Sequence, residues 1–430
     1  MKNILICLER LDIGGVETFT IAQVKEYAKR GIKCYVLSQG GLLERKLKDL
    51  KNVELINFKF NIENRIDYEE IEKIEKLIKN KKIDSICIHQ YPCIPYLLPL
   101  IFKYNIPYMA YIHSTVEGTF EWYMKTYPMY HVLFPMYFKN ASQIVAVTEK
   151  TKKENSKLFN IDLSKYKVIN NSLDFSEYED LKINNNLKKI NKFMYFGRLA
   201  VEKEKSIIAA IDFFKDYKEI FNENATLKIV GDGALLESLK EEYECEYIKF
   251  TGAVADTIKE LNKTDAVIGV DRCILEGIAA KRIAIISSYS GNISLVTPKI
   301  MEKEIEENFS GKSLDDNKEE LTKYSKEELK EIIKTNYKMI ENKLSISNSI
   351  ITELEDKEMK IDSVELFKTF SKEQDIVNKL MENNYNLYQE NLRIKNKLKV
   401  FVIIKNCITI LYCKIILQDY IVKLYYKIIS

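Results

Sequence analysis

A chain of 430 residues, 46% of them hydrophobic, exceeds what one core usually organises and predicts two domains with room for an appendage. Lys and Arg total 66 against 63 Asp and Glu, so the formal net charge is only +3 and no global field favours a nucleic-acid partner. The eight cysteines (Cys7, Cys34, Cys87, Cys93, Cys245, Cys273, Cys407, Cys413) form no C-x-x-C pair, which reads as free thiols in a reducing compartment rather than disulfides or metal ligands.

The chain opens with NILICL, an apolar run of strand length, then GGVE, then Ile21, Val24 and Ala28 at helical spacing up to Gly31. ILICL is too short for the apolar region of a signal peptide and Glu9 follows it at once, so a cytoplasmic protein is expected. Strand, glycine turn, helix is either a tight connection or a place where backbone comes close to a ligand. CYVLSQ (34–39), SICIH (85–89), PYMAYIHS (107–114) and SQIVAVTE (142–149) predict further strands, and residues 69–79 a charged amphipathic helix. Apolar strands alternating with helices predict a parallel sheet covered on both faces, here a Rossmann-like domain over residues 1–175. The aromatic-rich stretch from His113 to Phe138, with Trp122, would be a core helix or lid, or a surface for sugars or lipids.

The pattern then restarts. KFMYFGRL (192–199), TLKIVGDG (226–233), IKFTG, AVIGV (266–270) and a final strand IAIISS (283–288) alternate with SIIAAIDFFKDY, ALLESLKEEY and ILEGIAAK. This predicts a second Rossmann-like domain over 176–314, with the boundary in the polar, glycine-poor stretch near 170–190. Two doubly wound domains in tandem predict a ligand site in the cleft between the carboxyl ends of their strands. Residues 315–430 become charged and helical: EELKEIIKTNYKMIENKL and QDIVNKLMENNYNLYQENLRIKNKL are helix-periodic and would pack against the second domain or project from it. The segment 400–430 is the most apolar, yet its longest uncharged run is too short to span a bilayer. Lys405, Thr409, Asp419, Lys423 and Lys427 gather on one side of a helical wheel, which suits an in-plane membrane or partner-binding helix. A helix packed on the core or a homo-oligomer interface is equally open.

Arg198 and Lys203, in GRLAVEK at a strand end, suit a diphosphate: Arg grips oxygens in a fork and Lys adds a point charge. Solvated surface charges are the alternative. The phosphate loop G-x-x-x-x-G-K, the dinucleotide pattern G-x-G-x-x-G and D-x-D are all absent, which removes support for an ATPase or a dehydrogenase.

GGVE, GRL-x-x-EK and IVGDGALLESL, in this order over about residues 1–310, resemble the retaining family 4 glycosyltransferases of the GT-B fold. The resemblance implies two facing Rossmann-like domains and a nucleotide-diphosphate sugar as co-substrate, with no further cofactor and no metal. Gly14 and Gly15 would bring backbone amides to the sugar diphosphate. VINNSLDF is similar to the family's V-I-P-N-G-V-D, so Asn171 takes its Asn, while Asn170 and Ser172 replace Pro and Gly. His113, in YIHS, falls where the family keeps a histidine near the transferred sugar; His89 also follows a strand, and His131 reads as core or surface. Of the family's two glutamates Glu276 matches the second, which would hold the donor ribose, whereas Ile268 replaces the first. The segment GVDRCILEG, with ENFSGK downstream, resembles a subgroup in which Arg272 would help hold the donor. Gly291 would offer its backbone amide to the donor.

The implied chemistry is charge stabilisation and positioning: Arg198 and Lys203 on the leaving diphosphate, Glu276 on the ribose, His113 on the sugar. The aromatic stretch and the amphipathic C-terminal segment together suggest a glycan or lipid-linked glycan acceptor at the inner membrane face, in bacterial surface polysaccharide synthesis such as capsule. Two alternatives stay open: an inactive nucleotide-sugar-binding or scaffold homologue, motivated by Ile268, and a nucleotide-sugar 2-epimerase, for which no motif is seen.

Overall fold

The computed structural model describes residues 2–62, 68–114, 116–127, 129–184, 187, 189–254, 256–318 and 320–350. In chain order the elements are β1 (Asn3–Cys7), α1 (Gly15–Lys29), β2 (Lys33–Ser38), β3 (Val53–Asn57), α2 (Tyr68–Lys81), β4 (Ser85–Ile88), α3 (Ile94–Tyr104), β5 (Tyr108–Ile112), α4 (Val116–Thr126), α5 (Tyr130–Asn140), β6 (Gln143–Ala146), α6 (Glu149–Phe159) and β7 (Tyr166–Val168). They continue with β8 (Lys192–Phe196), α7 (Glu204–Ile220), β9 (Thr226–Val230), α8 (Leu236–Tyr243), β10 (Ile248–Phe250), α9 (Thr257–Asn262), β11 (Ala266–Gly269), α10 (Arg272–Ala279), β12 (Ile283–Ser287), β13 (Ile293–Leu295), α11 (Pro298–Glu306), α12 (Lys326–Leu344) and α13 (Ile346–Ser349). The strands form two sheets, of order β3-β2-β1-β4-β5-β6-β7 and β10-β9-β8-β11-β12-β13. The expected α/β class with two parallel-rich sheets is therefore present.

The chain divides into two compact units. One comprises Met1–Lys59, Ala146–Glu149 and the described chain from Val168 onward; the other comprises Phe60–Val145 and Lys150–Lys167. In the first unit β1 pairs in parallel with β2, Ile4 opposite Cys34, and β2 with β3, Cys34 opposite Val53. The second sheet lies wholly in this unit, and strand periodicity separates its two cores. Phe193 and Tyr195 of β8 join Ile207, Ile211 and Phe214 of α7 in one buried cluster, while Met194 and Phe196 join Ile274 and Ile278 of α10 and Ile340 of α12 in another. Strands buried on both faces must be apolar at nearly every position, which is why β8, β11 and β12 read as runs, whereas β9 and β10 carry Lys228 and the exposed Lys249.

Three strands escaped the sequence reading: β3, β7 and β13. VELIN of β3 is only half-buried at a sheet edge, and β7 and β13 have three residues each. β13 also makes the second sheet mixed, because it runs antiparallel to β12, with Ile286 opposite Ser294. The link Ser288–Asn292 is far too short for a parallel crossover. The stretch 170–190, polar overall, buries Leu173, Phe175, Tyr178 and Leu181 in the α10 and α12 cluster. Leu173 exchanges backbone bonds with Leu344 and Ile346 at 2.9 Å each, and Glu177 pairs with Lys25 of α1.

Helix α12 follows its expected spacing, burying Leu329, Ile333, Asn336, Ile340 and Leu344. In the other unit β4 and β5 pair in parallel, Ile86 opposite Tyr108. Most of the aromatic stretch proves to be core: Phe120, Tyr130, Phe134 and Phe138 are buried with Tyr91 and Phe159, whereas Trp122 is 51% exposed against Tyr123 and Tyr127. The six cysteines among the described residues are free thiols. No helix among the described residues is long and apolar enough to cross a membrane. The predicted helix beyond residue 350, the segment 400–430, Cys407 and Cys413 lie outside the described residues.

Candidate functional site

In the second sheet the strand order reverses between β8 and β11, and open α/β sheets bind ligands beyond the carboxyl ends of the strands at such a switch point. The residues there are Gly197 to Lys203 after β8, Asp271 and Arg272 after β11, and Tyr289 after β12.

The two glycine motifs of this unit form one backbone device. Gly197 donates its N–H to Val230 O at 3.0 Å, and Leu199 to Asp232 O at 2.8 Å. A Cβ on Gly231 would collide with Gly197 O, and one on Gly233 with Leu199 O, while both glycines hold positive φ (+156° and +148°). The GDG turn is thus pressed against the GRL turn, and only glycine allows that approach. Its consequence is a fixed exit for the chain carrying Arg198 and Lys203.

These two cations differ in setting. Arg198 Nη2 lies 2.6 Å from Glu202 Oε1, with side chains 69% and 54% exposed, a pair that contributes little to stability. Lys203 is largely buried, its Nζ 2.9 Å from Asp271 Oδ2. The Tyr289 hydroxyl donates to the same oxygen at 2.6 Å, and Lys203 Nζ sits 5.9 Å from the Tyr289 ring centroid. Burial and the Asp271 charge push the Tyr289 hydroxyl pKa up, so it stays protonated and donates. An ammonium has three donors and Asp271 takes one, leaving Lys203 able to serve an anion. Asp271 itself holds φ +57°, a left-handed conformation uncommon for a residue with a side chain.

Arg272 opens helix α10 and bonds one turn down to Glu276, Nε to Oε1 2.9 Å, with a longer contact from Nη1 to Ser172 O at 3.5 Å. Glu276 is buried, and the Thr257 hydroxyl lies 3.5 Å from its Oε2. Cys273, beside them, is inert: burial raises its pKa to about 12, and its Sγ bonds Val270 O. Ile268 lies in the strand itself, opposite Ile285 and fully buried, where a carboxylate would enter the core.

The remaining predicted residues are placed as follows. Asn171 donates from Nδ2 to Asn308 Oδ1 at 2.7 Å. Gly291 closes the turn after β12, its N–H bonded to Ser288 O at 2.9 Å. Gly14 caps α1 in extended conformation, and Gly15 begins it. A Cβ at Gly14 would meet only the Glu17 carboxylate, a flexible group, and one at Gly15 nothing within 4 Å, so packing alone requires neither glycine.

His113 lies in the other unit, just beyond β5. Its Nε2 is 3.0 Å from His89 Nδ1, so one ring must donate and the other accept. His89 stacks on Tyr111 with centroids 4.1 Å apart. Burial, and secondarily the His113 charge, lower the His89 pKa, which keeps that ring neutral. His89 follows a strand in the sequence, but nothing in the spacing pairs it with His113 or singles out Asp271 or Tyr289. Asp271 is 68 residues from Lys203, and no spacing rule joins residues across sheet edges. Among the described residues no group of three or more His, Cys, Asp or Glu could hold a metal ion.

Residues 13–177 match the family described as Glycosyltransferase Family 4. No curated protein matches the chain in sequence. Among solved structures, HepE from Anabaena in complex with UDP and glucose superposes with a TM-score of 0.58 and 16% identity, covering 81% of this chain and 97% of that one. Sucrose-phosphate synthase from Thermosynechococcus elongatus gives 0.56 at 10% identity, over 86% and 99%. A TarM variant from S. aureus, in a complex that includes UDP, gives 0.55 at 12% identity, over 81% and 98%. At such identities the likeness is one of fold, and that fold is GT-B.

Proposed function

We propose that this chain, which carries a Glycosyltransferase Family 4 region and the GT-B fold, moves a sugar from a nucleotide-diphosphate sugar to a glycan or lipid-linked glycan with retention of configuration. The observation that carries the reading is the Lys203, Asp271 and Tyr289 cluster beside the Arg272 and Glu276 pair at the switch point of the second sheet. Asp271 and Tyr289 hold Lys203 in place, and the ammonium stabilises the leaving diphosphate together with Arg198. Glu276, oriented by Arg272, accepts hydrogen bonds from the ribose hydroxyls, while Asn171, Gly14, Gly15 and Gly291 line the donor path. His113, set by His89, contacts the transferred sugar. The bond from the anomeric carbon to the phosphate oxygen breaks, the acceptor oxygen bonds that carbon from the same face, and the departing phosphate takes the acceptor proton. The cations replace a divalent metal in this scheme.

HepE and TarM were solved with UDP, so uridine donors are the first to test. A thermal-shift screen of nucleotides and nucleotide sugars, repeated with Lys203→Ala and Glu276→Ala, checks the assignment. The expected result is stabilisation of the wild type by one nucleotide diphosphate class, lost in both variants. Stabilisation that ignores both residues would sink the site. Turnover unchanged by a chelator, and an NMR coupling constant showing the donor's anomeric configuration kept in the product, test metal independence and retention.

The buried Ile268 favours one second reading, a homologue that binds nucleotide sugar without transferring it; donor turnover by the purified protein decides against that. Surface polysaccharide synthesis at the inner membrane face is the setting we propose. Its test is flotation of the chain with vesicles before and after deletion of residues 400–430, where equal flotation would remove any anchoring role for that segment.

A further inference from the structure

Helix α11 ends at a turn whose backbone is costly. Asn308 and Phe309 hold φ of +55° and +56° in succession, and Gly311 follows at +64°. Two consecutive side-chain-bearing residues in the left-handed region need surrounding structure to hold them. Glu304 supplies it from one turn back. Its carbonyl accepts the Phe309 N–H at 2.7 Å, and its carboxylate Oε2 accepts the Gly311 N–H at 3.1 Å. This carboxylate is fully buried, and its Oε1 has no hydrogen-bond partner, an expensive position for an acid that merely stabilises a turn.

The turn reaches directly into the switch-point site. Phe309 O accepts the Asp271 N–H at 2.8 Å, and Asn308 Oδ1 accepts from Asn171. Asp271 needs an anchor because its own φ is +57°.

We propose that Glu304 is a positioning residue for donor binding: it holds the Asn308–Phe309 turn, whose carbonyl pins the amide of Asp271 and so the pose of Asp271 against Lys203 and Tyr289. The role in donor binding rests on the glycosyltransferase reading above; the pinning of Asp271 does not. Burial raises the Glu304 pKa to about 7, opposed by the Gly311 N–H; the charges acting on it are those of Glu307, which raises it, and Lys303, which lowers it. The bond to Gly311 therefore gains carboxylate character as pH rises through neutrality.

The test uses hydrogen exchange of the unliganded full chain and donor kinetics, each between pH 6 and 8, on wild type, Glu304→Gln and Glu304→Asp. Gln keeps an acceptor for Gly311 without the titration, while Asp keeps the charge but is one methylene too short. We expect exchange at 270–273 to accelerate at least tenfold in Glu304→Asp, with β9 and β12 unchanged. We expect Glu304→Gln to keep the protection, with a protection factor at 270–273 that no longer changes between pH 6 and 8 as the wild type's should. With UDP-glucose as probe, Glu304→Asp should raise donor KM about tenfold with a smaller change in kcat. Unchanged exchange at 270–273 in Glu304→Asp, or equal acceleration in both variants, overturns the inference. If the wild type binds no nucleotide, the functional reading fails while the exchange result still decides the pinning.

Discussion

The two edges that carry candidate site residues are built differently. The edge of the second sheet is ionic: Lys203 against Asp271 and Arg272 against Glu276, side chains mostly buried and fixed by direct bonds. The edge beyond β4 and β5 is built of rings: His89, kept neutral by burial, shares a ring-to-ring contact with His113, and both stack beside Tyr111. A diphosphate demands fixed positive charge, whereas a sugar demands orientable donors and acceptors with little net charge. The contrast fits the separate roles proposed above for Lys203 and for His113.

The strongest way to break the comparison is to neutralise the ionic edge. Lys203→Met should lower kcat with a nucleotide-sugar donor roughly 100- to 1000-fold, the range seen when one preorganised stabiliser of developing charge is removed. A kcat within twofold of wild type would make the ionic edge structural only. Glu276→Gln should raise donor KM about 10- to 100-fold, as expected for loss of a charged hydrogen bond to a hydroxyl. The sharper readout is a 2′-deoxy donor: wild type should discriminate against it and the variant should not.

The imidazole edge is tested by pH. Because the folded His89 pKa lies below its unfolded value near 6.5, the folded state binds fewer protons than the unfolded chain below that pH. Stability should be complete above about pH 6.5 and fall as pH drops, by at most about 1.4 kcal/mol per pH unit. His89→Phe keeps a ring beside Tyr111 but cannot protonate, so its denaturant midpoint should lose that slope; an unaltered slope would place the titration elsewhere.

The smallest effect belongs to Arg198. Its exposed pair with Glu202 means that Arg198→Ala should leave stability within about 0.5 kcal/mol. Calorimetry should nevertheless find nucleotide affinity down about tenfold, the effect of one lost charge-assisted contact. Unchanged affinity would return Arg198 to the solvated surface.

Much of this was legible in the chain itself. Strands β1, β2, β4 to β6, β8, β11 and β12 announced themselves as apolar runs because burial on both faces admits little polar alternation, whereas β9 and β10 carry Lys228 and the exposed Lys249. The motifs GRL and GDG were visible as strand ends. That they are one device was not, since a glycine in sequence does not name the carbonyl it lies against. Residue 268 stood out as an isoleucine, yet only the strand register showed that it belongs to the core.

Local composition and periodicity thus determined the α/β class and the repeated strand and helix units; the GRLAVEK motif drew attention to Arg198 and Lys203, and the family resemblance to His113 and Glu276. Tertiary structure alone decided that Lys203 faces Asp271 and Tyr289, that His113 meets His89, and that Glu304 reaches Asp271 through Phe309. The physical reason is that periodicity is a short-range property of the chain, read over a few residues at a time. Contacts between loops at the end of a parallel sheet join segments separated by whole crossover units, and their partners are set by strand order rather than by spacing.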